Sequence, residues 1–177
     1  MRYHNITTAD MMNGEGLRVV LWLSGCSHHC YNCQNPVTWD ENDGLIFDES
    51  AKEELFRELD KDYISGLTLS GGDPLHEANL DGVLDLVNEI RLSFPNKSIW
   101  LYSGYTWSEI FNNGVYLTKD CDGWKRREIV KKCEVLVDGK YIDAQRNVQA
   151  KWRGSSNQRV IDVQQSLIKG KVVLYCD

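Results

Sequence analysis

Three of the chain's six cysteines fall within eight residues, in the stretch Gly25-Cys26-Ser27-His28-His29-Cys30-Tyr31-Asn32-Cys33-Gln34-Asn35. Thiols oxidise and cross-link, so such crowding is costly unless the sulfurs share a task. The spacing C-x-x-x-C-x-x-C lets a short loop fold back and aim Cys26, Cys30 and Cys33 at one centre. Thiolates are soft ligands that suit iron–sulfur clusters, zinc and copper(I). A [4Fe–4S] cube normally takes four cysteines. No fourth lies within a few residues, so three thiolates would leave one iron open to a small molecule. Zinc is the rival reading, because His28 and His29 could complete a Cys/His set. Zinc sites usually come as two spaced pairs, however, and no second pair exists here. By default both histidines are polar loop residues facing solvent. Cys121, Cys133 and Cys176 show no ligand spacing and read as free thiols, buried or half-buried.

The elements that must position this loop follow from hydrophobic pattern. Gly14 and Gly16 flank Glu15 and predict a turn. Residues 17–23 are apolar apart from Arg18 and predict a buried strand, with the cysteine loop at its C-terminal end. That end carries the chemistry in α/β folds. Trp39 and residues 40–44 read as a loop. A helix opens at Asp48-Glu49-Ser50 and turns Leu55, Phe56 and Leu59 inward. A second strand, 63–69, runs into Ser70-Gly71-Gly72-Asp73-Pro74-Leu75, where two glycines allow close approach to a ligand or simply make a turn. Leu80, Val83, Leu84, Val87 and Ile90 recur at helical spacing until Phe94-Pro95. A third strand, 98–102, precedes Ser103-Gly104-Tyr105-Thr106. Residues 107–125 look irregular, with turns at Asn112-Asn113-Gly114 and Asp122-Gly123. The strand 133–137 ends in Asp138-Gly139-Lys140-Tyr141. A polar loop, 144–151, leads to Trp152-Arg153-Gly154-Ser155-Ser156-Asn157-Gln158. Two β-rich runs, 160–163 and 172–175, then form a hairpin or lie at an edge.

At 177 residues the chain fits one domain, 1–177, and no repeat or linker divides it. Its net charge of −6 argues against general nucleic-acid binding. No apolar run approaches the roughly 20 residues of a membrane span. Met1-Arg2-Tyr3-His4 lacks the apolar stretch of a signal peptide, so the expected location is the reducing cytoplasm. Strands alternating with helices argue for an α/β fold, a parallel sheet with helices outside. A complete eight-fold barrel needs roughly 250 residues, so this one should be partial and open on one side.

The cysteine spacing resembles the cluster motif of the radical S-adenosylmethionine (SAM) enzymes. Asn13-Gly14-Glu15-Gly16-Leu17-Arg18 resembles the N-G-P-G-x-R segment of glycyl-radical-enzyme activases, with Glu15 in place of proline. Gly71-Gly72-Asp73 resembles the family's "GGE" motif, which binds the amino group of SAM. Most members carry an aromatic residue just before the third cysteine; here Asn32 stands there and Tyr31 precedes it. Together with His76, Ser103-Gly104-Tyr105, Val137-Asp138-Gly139-Lys140 and Trp152 to Gln158, the likeness extends to the activating enzymes of anaerobic ribonucleoside-triphosphate reductase. The resemblance implies a partial, open βα barrel of the radical SAM type. It implies a [4Fe–4S] cluster on Cys26, Cys30 and Cys33, with SAM held by Asn32, Cys33, Gln34, Gly71, Gly72 and Asp73. It implies a 5′-deoxyadenosyl radical that takes hydrogen from a glycine of the reductase large subunit, and an external one-electron donor. Trp152, Arg153 and Ser155-Ser156-Asn157 are candidate contacts to that partner, or a capped structural loop. The alternatives are an activase of another glycyl radical enzyme, such as pyruvate formate-lyase, and a zinc-stabilised binding module.

Overall fold

The computed structural model describes residues 1–111 and 121–176; the turn expected at Asn112-Asn113-Gly114 lies outside them. Among the described residues the strands are β1 (Arg2–Asp10), β2 (Arg18–Leu23), β3 (Leu45–Ile46), β4 (Gly66–Gly71), β5 (Ser98–Ser103), β6 (Val135–Asp138) and β7 (Arg159–Asp162). The helices are α1 (Glu49–Leu59), α2 (Leu80–Ser93), α3 (Trp107–Phe111), α4 (Asp122–Lys131) and α5 (Val163–Lys169). All seven strands join one sheet in the order β3-β1-β2-β4-β5-β6-β7. The central β2, β4, β5 and β6 are parallel, while β1, β3 and β7 run antiparallel at the flanks. The expected α/β class with a parallel core is therefore what the chain forms.

Alternation along the strands sorts the two faces of the sheet. Val19, Leu21, Leu23, Leu67, Leu69, Ile99, Leu101 and Leu136 join the helices in the main core. In α1, Asp48 caps the first turn by accepting from the Ala51 N–H at 3.0 Å, and Ala51, Leu55 and Leu59 are buried at four-residue steps. In α2 the buried stripe is Leu80, Val83, Leu86, Val87 and Ile90; Leu86 takes the place expected for Leu84, which is only partly buried. The opposite face carries Trp100, Val135, Val137 and Val160, packed with Tyr102, Trp152 and Cys176.

At the N-terminal end of the parallel strands this second face is plugged by Arg18, which is fully buried. Its Nε donates to Thr68 Oγ1 (2.7 Å), Nη2 to the Leu67 and Ser98 carbonyls (2.7 and 3.0 Å), and Nη1 to the Ser98 hydroxyl and Glu15 carbonyl (2.9 and 3.1 Å). The Asn13–Gly14 turn folds over it, with Thr68 Oγ1 donating to the Asn13 carbonyl.

Several boundaries differ from expectation, each for a local reason. β1 forms although only Tyr3 of its nine residues is buried, because pairing with β2 satisfies its backbone. β4 begins at Gly66, since Ile64 N–H closes a turn onto Lys61. β6 begins at Val135, because Cys133 still bonds to Val130 at the end of α4. Asp122-Gly123, expected as a turn, opens α4, and Trp107–Phe111 is helical rather than irregular. Val163 starts α5, capped by Asp162, so the second β-rich run reaches β7 through the single bridge Ile161–Leu174.

A Cβ at Gly66 would overlap the Ser98 carbonyl oxygen of the neighbouring strand, whereas one at Gly170 would meet nothing. Gly66→Ala is expected to destabilise the chain by about 3 kcal/mol through overpacking. Gly170→Ala, which only strains a left-handed cap with φ +63°, is expected to cost about 1 kcal/mol. Urea unfolding midpoints of the two variants should rank accordingly.

Candidate functional site

β2 releases the chain into the cysteine loop, and main-chain bonds fix where the loop begins and returns. Gly25 N–H donates to the Thr38 carbonyl at 2.8 Å and Cys26 N–H to the Trp39 carbonyl at 3.0 Å. Between them the backbone reverses at His29 (φ 46°) and Asn32 (φ 53°), and Cys33 N–H closes on the Cys30 carbonyl at 3.1 Å. The end of β4 is stitched to the same loop: Gly72 N–H donates to Leu23 at 2.8 Å and Asp73 N–H to Gly25 at 2.7 Å. Gly71 sits at φ +104°, and a Cβ there would meet the Leu23 backbone at 2.5 Å; one on Gly72 would overlap Gly25 and Thr38 carbonyls. These two glycines are thus demanded by the approach of one loop to the other.

A cavity of about 420 Å³ opens beside the loops, at the C-terminal end of the parallel strands. Cys26, Cys30, Cys33, Gln34, Gly71 and Gly72 all line it. Asn32 does not: it is exposed, and its side-chain amide donates to Asp143 at 3.2 Å. Asp73 lies behind the wall, buried. Its Oδ1 accepts from Leu75 N–H (2.8 Å) and Ser103 Oγ (2.9 Å), and its Oδ2 from Gly104 N–H (3.0 Å) and from His28 Nε2 (2.7 Å). His28, expected in solvent, is therefore tucked in, its ring edge against Tyr105 at 4.7 Å. His29 stays exposed, edge-on to Trp39. The sequence reading did not place Lys140, Trp22 or Tyr102 at the site, yet all line the cavity, as do Met12, Arg146 and Val148. Trp22 pairs with Ser70 across β2 and β4, and Tyr102 lies one residue beyond the Leu69–Leu101 pair of β4 and β5, a signal available only once strand pairing is known.

Among the described residues, Cys26, Cys30 and Cys33 are the thiols on this wall. Burial, with smaller contributions from Asp73, Cys30 and Cys33, pushes the Cys26 thiol from 9.0 up to about 11, against a hydrogen bond from the His28 N–H. Burial and then Cys33 also push Cys30 up, while the Tyr141 N–H and Lys140 pull it back. Such thiols stay protonated near neutrality until a metal displaces the protons. Among the described residues no three His, Cys, Asp or Glu side chains are gathered closely enough to hold a single metal ion. Three soft donors spread along one wall, beside open space, suit a larger iron–sulfur group. The remaining cysteines are free: Cys133 is buried and donates to Ile129, while Cys121 and Cys176 are half-buried.

The segment Trp152 to Gln158 forms a brace. Trp152 packs edge-on to Trp100 at 4.9 Å. Gln158 accepts from the Gly154 and Ser155 N–H groups and donates to the Gly139 carbonyl at 2.9 Å; Asn157 donates to the Lys140 carbonyl at 2.8 Å. Ser155 is fully buried and accepts from Ile142 N–H. These residues hold the turn after β6, and only Trp152, Arg153, Gly154 and Gln158 of the segment face the cavity.

A family model described as a 4Fe–4S single cluster domain matches residues 12–161. The chain is 40% identical over 162 residues to the anaerobic ribonucleoside-triphosphate reductase-activating protein of Enterobacteria phage T4, covering 90% of this chain and 93% of that one. It is 38% identical to the protein of the same name from Vibrio cholerae, covering 89% and 96%. The Escherichia coli K12 protein of that name is also 38% identical, with 90% and 97% covered.

The raised Cys26 value has a consequence in the metal-free chain. An unfolded thiol ionises near pH 9.0 and the folded one near about 11. Holding the neutral form therefore stabilises the fold below pH 9 and stops doing so as pH climbs through 11. The unfolding midpoint of the apo chain should fall over that window, and Cys26→Ser should flatten part of the fall.

Proposed function

Because the chain belongs to the family of anaerobic ribonucleoside-triphosphate reductase-activating proteins, we propose that it installs a glycyl radical on the large subunit of that reductase. The 4Fe–4S domain assigned to residues 12–161 supplies the cluster part of the reading, and Cys26, Cys30 and Cys33 are its ligands in this proposal. The reading is carried by one observation: three thiols at the C-terminal end of β2 share a cavity wall with the glycine-rich end of β4. When bound and reduced, the cluster supplies the electron that splits SAM into methionine and a 5′-deoxyadenosyl radical, which takes a hydrogen atom from a partner glycine.

The chain's own task is to bind, orient and exclude. For SAM we propose Asn32, Cys33, Gln34, Gly71, Gly72 and Asp73. Cys33, Gln34, Gly71 and Gly72 support this directly as cavity-lining groups; Asn32 and Asp73 contribute by shaping the backbone behind them. Lys140, Arg146 and Arg153 line the cavity in a chain of net charge −6, and suit a ligand carboxylate. Trp22, Tyr102 and Trp152 add aromatic surface to the cavity lining, which limits water near a reactive radical. The whole chain, 1–177, acts as one domain, and its sheet is a partial barrel open toward the partner. Its order, in which β3 and β7 remain separate edges, supports that reading. The electron comes from an external one-electron donor, and the cytoplasm is the expected location. No helix among the described residues is long and apolar enough to cross a membrane.

The test combines reduced enzyme and SAM with an anaerobic ribonucleotide reductase carrying deuterated glycine. Deuterium should appear in 5′-deoxyadenosine, together with a glycyl radical signal on the reductase. Labelling of a small metabolite instead, with the deuterium left on the reductase, would show the reading to be wrong.

A further inference from the structure

The Cys26–Cys33 stretch is held to the rest of the molecule by few contacts. The Asn32–Asp143 bond and the His29–Trp39 ring contact involve exposed loop side chains. Ser27, also exposed, meets the Tyr105 hydroxyl. The Cys30 thiol, itself half-buried, takes a bond from Tyr141 N–H. The buried tether is different. The His28 and Asp73 side chains are 8% and 2% exposed, with Nε2 and Oδ2 2.7 Å apart. Asp73 already accepts from Leu75 N–H, Ser103 Oγ and Gly104 N–H, an accepting role in which His28 Nε2–H would be the donor on this bond.

Asp73 is a hub with no capacity to spare. A carboxylate offers about four lone-pair sites. Leu75 N–H, Ser103 Oγ, Gly104 N–H and His28 Nε2 already occupy them. Three of those donors fix Asp73 to the ends of β4 and β5, so the fourth ties the cysteine loop to both strands. The imidazole is also wedged in place. A Cβ on Gly104 would overlap its ring. Tyr105, packed on its other side, is covered by the Arg126 guanidinium at 4.6 Å, and Arg126 itself donates to the Leu75 carbonyl.

We propose that His28 is a positioning residue: through Asp73 it docks the Cys26–Cys33 loop on the ends of β4 and β5 and so presents the three thiols to the cavity before any cluster is bound. The inference rests on the reading of these cysteines as cluster ligands. Its physical content is preorganisation, in which a site held in shape by the fold loses less freedom on loading.

The test compares His28→Gln, whose amide nitrogen reaches the position of Nε2, with His28→Asn, one methylene too short. In the metal-free, reduced chain, alkylation of Cys30 and Cys33 by iodoacetamide is followed by mass spectrometry. His28→Asn should raise those rates about ten-fold, the loss expected for one charge-assisted hydrogen bond, and His28→Gln should return them to near the wild-type value. After anaerobic reconstitution, iron and sulfide content should fall in His28→Asn and recover in His28→Gln. Equal alkylation rates in all three chains, or a glutamine variant that behaves like the asparagine one, would overturn the proposal. A readout without variants guards against misfolding: the His28 Nε2–H of the wild-type apo chain should give an exchange-protected proton signal at neutral pH, and its absence would equally overturn it. Failure of the wild type to take up iron and sulfide would sink the cluster reading instead, and the alkylation rates would still decide the tether.

Discussion

The arrangement of the sheet depends on burying one cation. Arg18 enters the interior with no carboxylate among its hydrogen-bond partners, and an unpaired charge there is expensive unless its donors are met. They are met by carbonyls and hydroxyls from β4, β5 and the Asn13–Gly16 turn, which links three parallel strands at one end. Burial lowers its pKa to about 10, partly offset by Tyr102, Glu134, Tyr175 and Asp10, so it remains charged near neutrality. Trp100 lies 5.3 Å from the guanidinium and carries Trp152 and Tyr175 against it. The N-terminal end of this face is therefore filled. The open volume is displaced toward the other end, where the strands release their loops.

At that end the constraint reverses, because little side chain is allowed. Parallel strands deliver loops side by side, and the loops after β2 and β4 approach until carbonyl meets amide. Only glycine fits at Gly71 and Gly72 under those conditions. The result is a wall of main chain with the thiols set into it. Burial makes the Cys26 and Cys30 sulfurs reluctant to ionise alone, and neighbouring thiolates would repel one another. A bound metal centre would remove both penalties at once, which fits the proposed use of these thiols as a ligand set.

Much of this was legible in residue order, for identifiable reasons. Cys26, Cys30 and Cys33 are close in sequence, so their common wall needs no long-range knowledge. The β4 and β5 cores and α1 and α2 carry strong periodicity. β1 lacks it: in Arg2–Asp10 a single buried residue leaves no alternation to read, and the strand exists because β2 offers an edge. α4 escaped for a similar reason, since only Ile129 and Val130 are buried and lysine and arginine fill its middle. His28 reads as a solvent-facing loop residue in the sequence, because its partner lies 45 residues away, beyond the end of β4. The Trp152–Gln158 run was read as a partner contact or a structural loop; its hydrogen bonds to Gly139, Lys140 and Ile142 make it the latter for Ser155 and Asn157.

The cavity margin bears on what kind of substrate the proposed activity needs. Met12 and Val148 both line the cavity yet are 78% and 83% exposed. Leaving large apolar side chains in water at the mouth of a site loses the free energy of burying them, roughly 2 kcal/mol each. A small molecule sinking into the cavity would not recover it, because the two side chains would stay outside. A macromolecule laid across the mouth would cover both. The helices of the described fold cover only the far face of the sheet, so none of them closes the cavity mouth. For a reaction through a primary carbon radical that is an unsafe arrangement unless the substrate brings its own cover. A glycine presented by a protein surface meets that condition, since the surface that delivers the C–H bond also seals the site around it.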